Sequence, residues 1–317
     1  MYDPQAKKLN EQAAFKEIVV EISARQLSAK SENLCRLSMF LTQAIFMEVC
    51  THPKPGLVTR SSNGSHNDMS ILTFAAGSAV LAKAFSGLQD LGMNHSDGPR
   101  ELFEKVRQYG IGAEQELLQM TKGVNTQRGI LFAGGLLAAA AGYALKAGRG
   151  SEALCGIVAD MTQGLVDREL AGLQTDRPLT AGERLYRVYG ITGIRGEVEA
   201  GFPSVRQAGL PGLKEAFARG AGLNDALVHT LLNLMTVVQD SNVIWRGGYE
   251  KLPFVQQRAR EILEAGSIFT AAGRRLLAAT ETLFAAQRIS PGGSADLLSV
   301  TTALYLVENK EFPVAII

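Results

Sequence analysis

The sequence has almost no strand pattern: nowhere do apolar and polar residues alternate for more than a few positions. A sheet-built fold is thereby excluded. Cysteine is equally sparse. Cys35, Cys50 and Cys155 show neither a pairing pattern nor metal-ligand spacing, which fits reduced thiols in a cytoplasmic protein. An excess of either charge is missing too, since 32 Lys and Arg meet 31 Asp and Glu. No overall field therefore draws the chain to nucleic acid or an anionic membrane, and anionic ligands must be held by local clusters. The uncharged run Ile130 to Leu145 is shorter than the ~20 residues that span a bilayer. The first residues carry Lys7, Lys8 and Glu11 without an apolar segment, so no signal peptide is expected. There is no P-loop, internal repeat, low-complexity segment or Pro/Ser linker.

What is present is apolar and helical. Hydrophobic residues make up 46% of the 317 and charged ones 20%, enough for a sizeable core and too apolar for disorder. We read one compact, all-α, multi-helix domain over 13–317 behind a frayed 1–12, with its site built from helix-end loops. An amphipathic helix is expected over 13–27, then a core helix carrying Leu34, Leu37, Leu41, Ile45 and Val49. Ser70 to Leu91 reads as the next, and Pro99 starts another that runs to Lys122. The Ala/Gly-rich run Ile130 to Leu145 lets neighbours approach closely and is placed as a buried central helix, with Asn125 or Thr126 capping its start. Ser151 opens a helix to Leu165, TAGE (180–183) is a capping box, and the Gly/Pro-rich 190–212 is read as loop. Asn224 or Asp225 caps a helix ending near Asp240. Helices over 254–285 and 295–307 follow, and the apolar tail Phe312 to Ile317 is expected to dock on the core or on a partner subunit.

Chemically able side chains crowd into Met47 to Met69, MEVCTHPKPGLVTRSSNGSHNDM. The preceding helix must stop near Thr51, because His52 precedes a proline and so avoids the α region. Glu48 then stands in the last turn, where the macrodipole disfavours a carboxylate. Lys54 is presented between two prolines on stiffened backbone. Such density in a Gly/Pro loop reads as a site, not as packing. Four later blocks share its character: GVNTQRG (123–129), RGEVEAGFP (195–203), DSN with RGG (240–248) and SPGGSADLL (290–298).

In this order the five blocks resemble the triphosphoribosyl-dephospho-CoA synthases, which make the prosthetic-group precursor for citrate lyase and malonate decarboxylase acyl carrier proteins. The likeness spans residues 35 to 305. It implies that ATP loses adenine while its ribose C1 is joined to the 2′-hydroxyl of 3′-dephospho-CoA, the triphosphate staying on the product. The product would pass to an acyl carrier protein transferase. The change from β to α linkage suggests one direct displacement through an oxocarbenium-like transition state, as in inverting glycoside chemistry. Two departures from the family pattern stand out. Thr59 replaces an acidic residue, and Gln127-Arg128 replace His-Lys, with Arg128 keeping the positive charge. The competing readings are a Mg²⁺-dependent all-α hydrolase of N-glycosyl or ADP-ribosyl bonds, and a non-catalytic helical module that binds nucleotide at most. A homo-oligomer is a candidate state of the protein.

The implied reaction needs a carboxylate-held Mg²⁺, cations and amides for a triphosphate, and an acid or base. Glu48, Asp68 and Asp240 are the candidate metal ligands. Asp240 repeats the Glu48 pattern near a helix end, whereas Asp296 is weaker, since an acid in a first helical turn is favoured anyway. Lys54, Arg128, Arg195, Arg246, Asn125, Thr126, Asn242 and the turn Gly292, Gly293, Ser294 are candidates for the nucleotide. Glu197 is the candidate base for the acceptor hydroxyl. A helical segment there would let only one of Glu197 and Glu199 face a site. His66 is the preferred acid or base and His52 the next, His229 reads as packed in an apolar helix, and His95 as a loop residue.

Overall fold

The computed structural model describes residues 32–172 and 177–316, and the expected frayed 1–12 and helix 13–27 lie outside them. Thirteen α-helices follow one another among the described residues: α1 (Leu37–Cys50), α2 (Ile71–Met93), α3 (Pro99–Met120), α4 (Arg128–Lys146), α5 (Leu154–Thr162), α6 (Ala181–Tyr189) and α7 (Ile194–Glu199), then α8 (Leu210–Ala218), α9 (Leu223–Met235), α10 (Ser241–Gly247), α11 (Lys251–Glu264), α12 (Ala271–Gln287) and α13 (Gly292–Asn309). No strand occurs among the described residues.

Small residues decide the centre. α4 buries most of its length, Ala138 to Ala141 included, and packs along α2. The two backbones touch where neither carries a side chain. A Cβ on Gly142 would lie 2.0 Å from the Gln89 carbonyl oxygen, and one on Gly92 2.0 Å from that of Ala139. By length and composition α2 and α4 could each cross a membrane, but α4 is buried in the core over most of its length and α2 packs along it. That core is continuous from Leu34 to Phe312. α13 closes it by lying against α1, α4 and α9. A small satellite cluster of Val49, Val58 and Met69 pins the Met47–Met69 loop to the end of α1.

Several expectations are corrected. The Gly/Pro-rich 190–212 is largely helical, comprising α7, a wide π-type turn at Val205–Gly209 and the start of α8. Its glycines and prolines punctuate helices instead of dissolving them. Gly201 ends α7 at φ +66, and Pro211 sits in the first turn of α8, where a missing N–H costs nothing. The single helix expected over 254–285 is two, broken at left-handed Gly266. The helix opened at Ser151 is a 3-10 turn followed by α5, which ends at Thr162. α13 begins at Gly292, so the two glycines lie within its first turn. Gln127, with no side-chain cap, precedes α4 in place of Asn125 or Thr126. Gly222 precedes α9, while Asn224 instead clamps the backbone of His52. The Thr180–Glu183 capping box forms. Phe312 is buried against Tyr305 and Phe217, but Ile316 is exposed.

Gly142→Ala should lower stability by about 1–3 kcal/mol, the usual cost of overpacking, read as a lower urea midpoint. Gly156→Ala on α5, where a Cβ meets nothing within 4 Å, should be neutral or gain up to ~1 kcal/mol.

Candidate active site

The sequence blocks that lie far apart in the chain meet around a cavity of about 460 Å³, walled by the start of α4, the α7 segment, α10 and the first turns of α13. A smaller cavity of about 80 Å³ runs beneath the Met47–Met69 loop to Glu48, His66 and Arg246. Asn125, Thr126, Asn242, Gly292 and Asp296 line both, so the two share a wall. Thr126 Oγ1 is buried there without a hydrogen-bond partner among the described residues.

Three carboxylates converge on this wall, and each is compensated differently. Asp240 is fully taken up by backbone. One of its oxygens accepts from the Asn242 and Val243 amides (3.1 and 3.4 Å), and the other from the Ser294 amide and hydroxyl (2.8 and 3.0 Å). It therefore caps the N-termini of α10 and α13 together. Gly293 permits this, because a Cβ there would sit 3.2 Å from the carboxyl. Glu48 is buried in an ion pair with Lys54, whose side chain is only 1% exposed. Burial pushes Glu48 up and Lys54 down, and each opposes the other's shift. Asp296 has the least compensation. Burial, then the negative charges of Glu48 and Asp240, raise it well above the usual carboxylate range against one backbone hydrogen bond from Ile130. It lies so close to the start of α4 that a Cβ on Gly129 would be 1.9 Å from its Oδ2.

The acid–base groups divide between the two cavities. His66 accepts or donates at Nε2 to Ser290 Oγ (2.8 Å), while its Nδ1 is 3.8 Å from Asp68. Burial and the nearby Arg246 guanidinium lower its pKa to about 4, so it is neutral at pH 7. Arg246 itself forms no ion pair among the described residues. Glu197 faces the larger cavity from α7 and accepts from the Ser204 amide (3.2 Å) and hydroxyl. Burial raises its pKa and Ser204 pulls it back. Glu199, two residues on, points elsewhere and accepts from the Val166 amide at 2.9 Å. His229 is packed against Phe269 and bonded to Ser267. His95 is buried and fastens the α2–α3 connection through Gly98.

Five expectations need correction. Lys54 does not reach either cavity; it is the counter-ion of Glu48. Asp240 begins a helix instead of ending one, and its oxygens are already spoken for. The Ser294 donors are consumed by that same carboxylate, leaving Gly292 and Gly293 as cavity wall. Asp68 stands 58% exposed outside both cavities, so it does not join Glu48 around one ion. Arg195 turns to Glu169 (2.7 Å) in a separate groove, which Arg128 also lines while pairing with Glu114 at 2.5 Å. Among the described residues, no three His, Cys, Asp or Glu side chains form a ready metal cage. Asp296, discounted as an ordinary first-turn acid, was the signal missed. Its position three residues after the double glycine that starts α13 is the available clue.

A family model described as ATP:dephospho-CoA triphosphoribosyl transferase (CitG) matches residues 35–312. The chain belongs to this family. It is 42% identical over 280 residues to a probable 2-(5″-triphosphoribosyl)-3′-dephosphocoenzyme-A synthase of Malonomonas rubra, covering 87% of this chain and 89% of the relative. The 2-(5″-triphosphoribosyl)-3′-dephosphocoenzyme-A synthase of Pectobacterium atrosepticum is 42% identical over 276 residues, covering 86% and 89%. That of Klebsiella pneumoniae is 38% identical over 262 residues, covering 82% and 86%. No solved structure matches. The family is one of transferases, and none of these relatives is named as a hydrolase.

The two positions read as departures from the family pattern sit differently in the fold. Thr59 Oγ1 accepts from the Ser61 and Ser62 amides (3.1 and 3.0 Å) and meets His52 at 3.3 Å. Gln127 is buried, lines the smaller cavity and donates to Ser78 Oγ at 3.2 Å, while its Oε1 has no hydrogen-bond partner among the described residues.

Lys54→Ala should destabilise by about 3–5 kcal/mol, because it leaves the buried Glu48 charge without a partner; pairing it with Glu48→Gln should recover much of the loss in a thermal melt. His66 titrates near 4 in the fold and near 6.5 unfolded. Above that window both states are neutral; within it only the unfolded chain takes up the proton. Stability should therefore fall as pH drops from about 6.5 towards 4, by on the order of 1–2 kcal/mol at pH 5. His66→Asn should lose correspondingly less between pH 7 and 5.

Proposed function

We propose that this chain joins the triphosphoribosyl group of ATP to the 2′-hydroxyl of 3′-dephospho-CoA with release of adenine. The observation that carries this beyond family membership is that two chemically distinct carboxylates, Glu197 on α7 and Asp296 on α13, line one cavity. Glu197 is the base. Held by Ser204, it takes the proton of the acceptor hydroxyl as the oxygen attacks ribose C1 and the bond to adenine breaks. Asp296 faces the ribose from the same cavity, where positive charge developing at C1 favours its ionised form. Asn125, Thr126 and Asn242 orient the donor, with Arg246 facing its phosphates from the smaller cavity. Neutral His66 suits hydrogen bonding to the leaving base better than holding an anion.

The donor set fits Mg²⁺ carried in with ATP. That ion takes one or two protein carboxylates and completes its shell with water and phosphate, and Asp296 is the carboxylate left without a compensating cation. Asp296, with Glu48 beside it, would hold the ion, which would supply positive charge against the triphosphate. The triphosphate retained on the product is the leaving group for a following transfer to a carrier protein, as the citrate lyase and malonate decarboxylase prosthetic groups require. The free state of all three thiols is in keeping with work in the cytoplasm.

Adenine release should be followed with ATP and Mg²⁺, with and without dephospho-CoA. Release should require the acceptor; release without it would overturn the transferase reading. Glu197→Gln should bind both substrates and slow transfer by ~10²–10⁴-fold, the span of general-base catalysis. A normal rate would remove Glu197 from that role.

A further inference from the structure

We infer that the groove between α3, α4 and the Asp167–Ala171 turn receives the pantetheine arm of the acceptor. This rests on the transferase reading and adds a subsite to it. The cavity of about 460 Å³ is the size of a site for one nucleotide-like ligand, whereas the reaction brings two together. The tail of the acceptor must leave that space.

One exit is lined for it. A groove of about 220 Å³ is walled by Phe103, Val106, Ile111, Leu131 and Phe132. Its charged end abuts the main cavity, because Arg128 lines both and Arg195 follows Ile194 of the cavity wall. Among the described residues, Arg107, Arg128 and Arg195 at that end face Glu114 and Glu169, three positive charges against two negative. The acceptor has matching chemistry in the same order. Its adenosine carries the reacting hydroxyl, then comes a diphosphate, then a largely apolar arm with two amides. With the hydroxyl at Glu197, the diphosphate passes Arg128 and the arm lies along the apolar wall. The Arg128–Glu114 pair is half exposed, and such pairs contribute little, so a phosphate readily replaces the carboxylate. Arg195, which does not enter the main cavity, thereby acts on the acceptor and not on ATP.

Gly110 on α3 gives a direct test, since it lines the groove and a Cβ there meets no atom within 4 Å. Gly110→Trp should fill the groove without moving backbone. ADP serves as the truncated acceptor, keeping the 2′-hydroxyl and diphosphate but lacking the arm. The wild-type enzyme should prefer dephospho-CoA over ADP by at least ~10-fold in kcat/KM. Gly110→Trp should raise the KM for dephospho-CoA by ~10-fold or more while leaving ADP transfer and the KM for ATP unchanged. Ile111→Glu, at a half-exposed position, should do the same and covers the case in which the tryptophan variant fails to fold. Equal loss with both acceptors, or no loss with either, overturns the subsite. Calorimetric binding of dephospho-CoA and ADP to the same proteins reads the groove separately. If the wild-type protein transfers to neither acceptor, the transferase reading falls. The subsite then stands only if Gly110→Trp weakens dephospho-CoA binding and spares ADP.

Discussion

A single buried carboxylate holds the two halves of the site in register. Asp240 has no water to solvate it and receives instead the amides of two helix starts and a serine hydroxyl. Burial raises its pKa, and both helix macrodipoles and these donors oppose that rise. The consequence is geometric. α10, which carries Asn242 and Arg246, is tied to α13, which carries Asp296, and α13 in turn runs through the core beside α1 and α4. The side chains lining the cavity are thus referenced to the centre of the molecule and not to mobile loops.

Around that tie the charges are arranged in a graded way. Glu48 is neutralised by Lys54, and Asp240 by backbone dipoles. Asp296 sits within the field of both and has only one amide to answer them. A site of this kind has an unmet demand for positive charge at one oxygen pair. Chemistry in which a sugar carbon turns cationic, or a phosphate arrives with its metal, meets that demand. His66 is held neutral first by its burial and then by the Arg246 guanidinium beside it, which discourages a second cation.

Much of this was legible in the chain. The Ala/Gly run of α4 could only be a helix meant for close approach, and Gly92 and Gly142 bear that out at backbone contact distance. Glu197 was separable from Glu199 because a helix cannot aim both one way. The reading of 190–212 as loop failed because glycine and proline were counted as breakers, when their positions made them helix stops and starts. Lys54 was misassigned because a lysine displayed on a stiff loop looks available. What made it unavailable was the buried carboxylate six residues earlier, brought opposite it by the fold of the loop.

The sequence by itself determined the helical class, the clustering of polar chemistry at helix ends and membership of the family, since each rests on local periodicity or on ordered motifs. Tertiary structure alone decided which acids are free. Whether Glu48, Asp240 or Asp296 is compensated depends on donors as many as 54 positions away for Asp240 and on one local lysine for Glu48. Electrostatic compensation is a property of neighbours in space, and in this chain three carboxylates near helix ends acquired three different neighbourhoods.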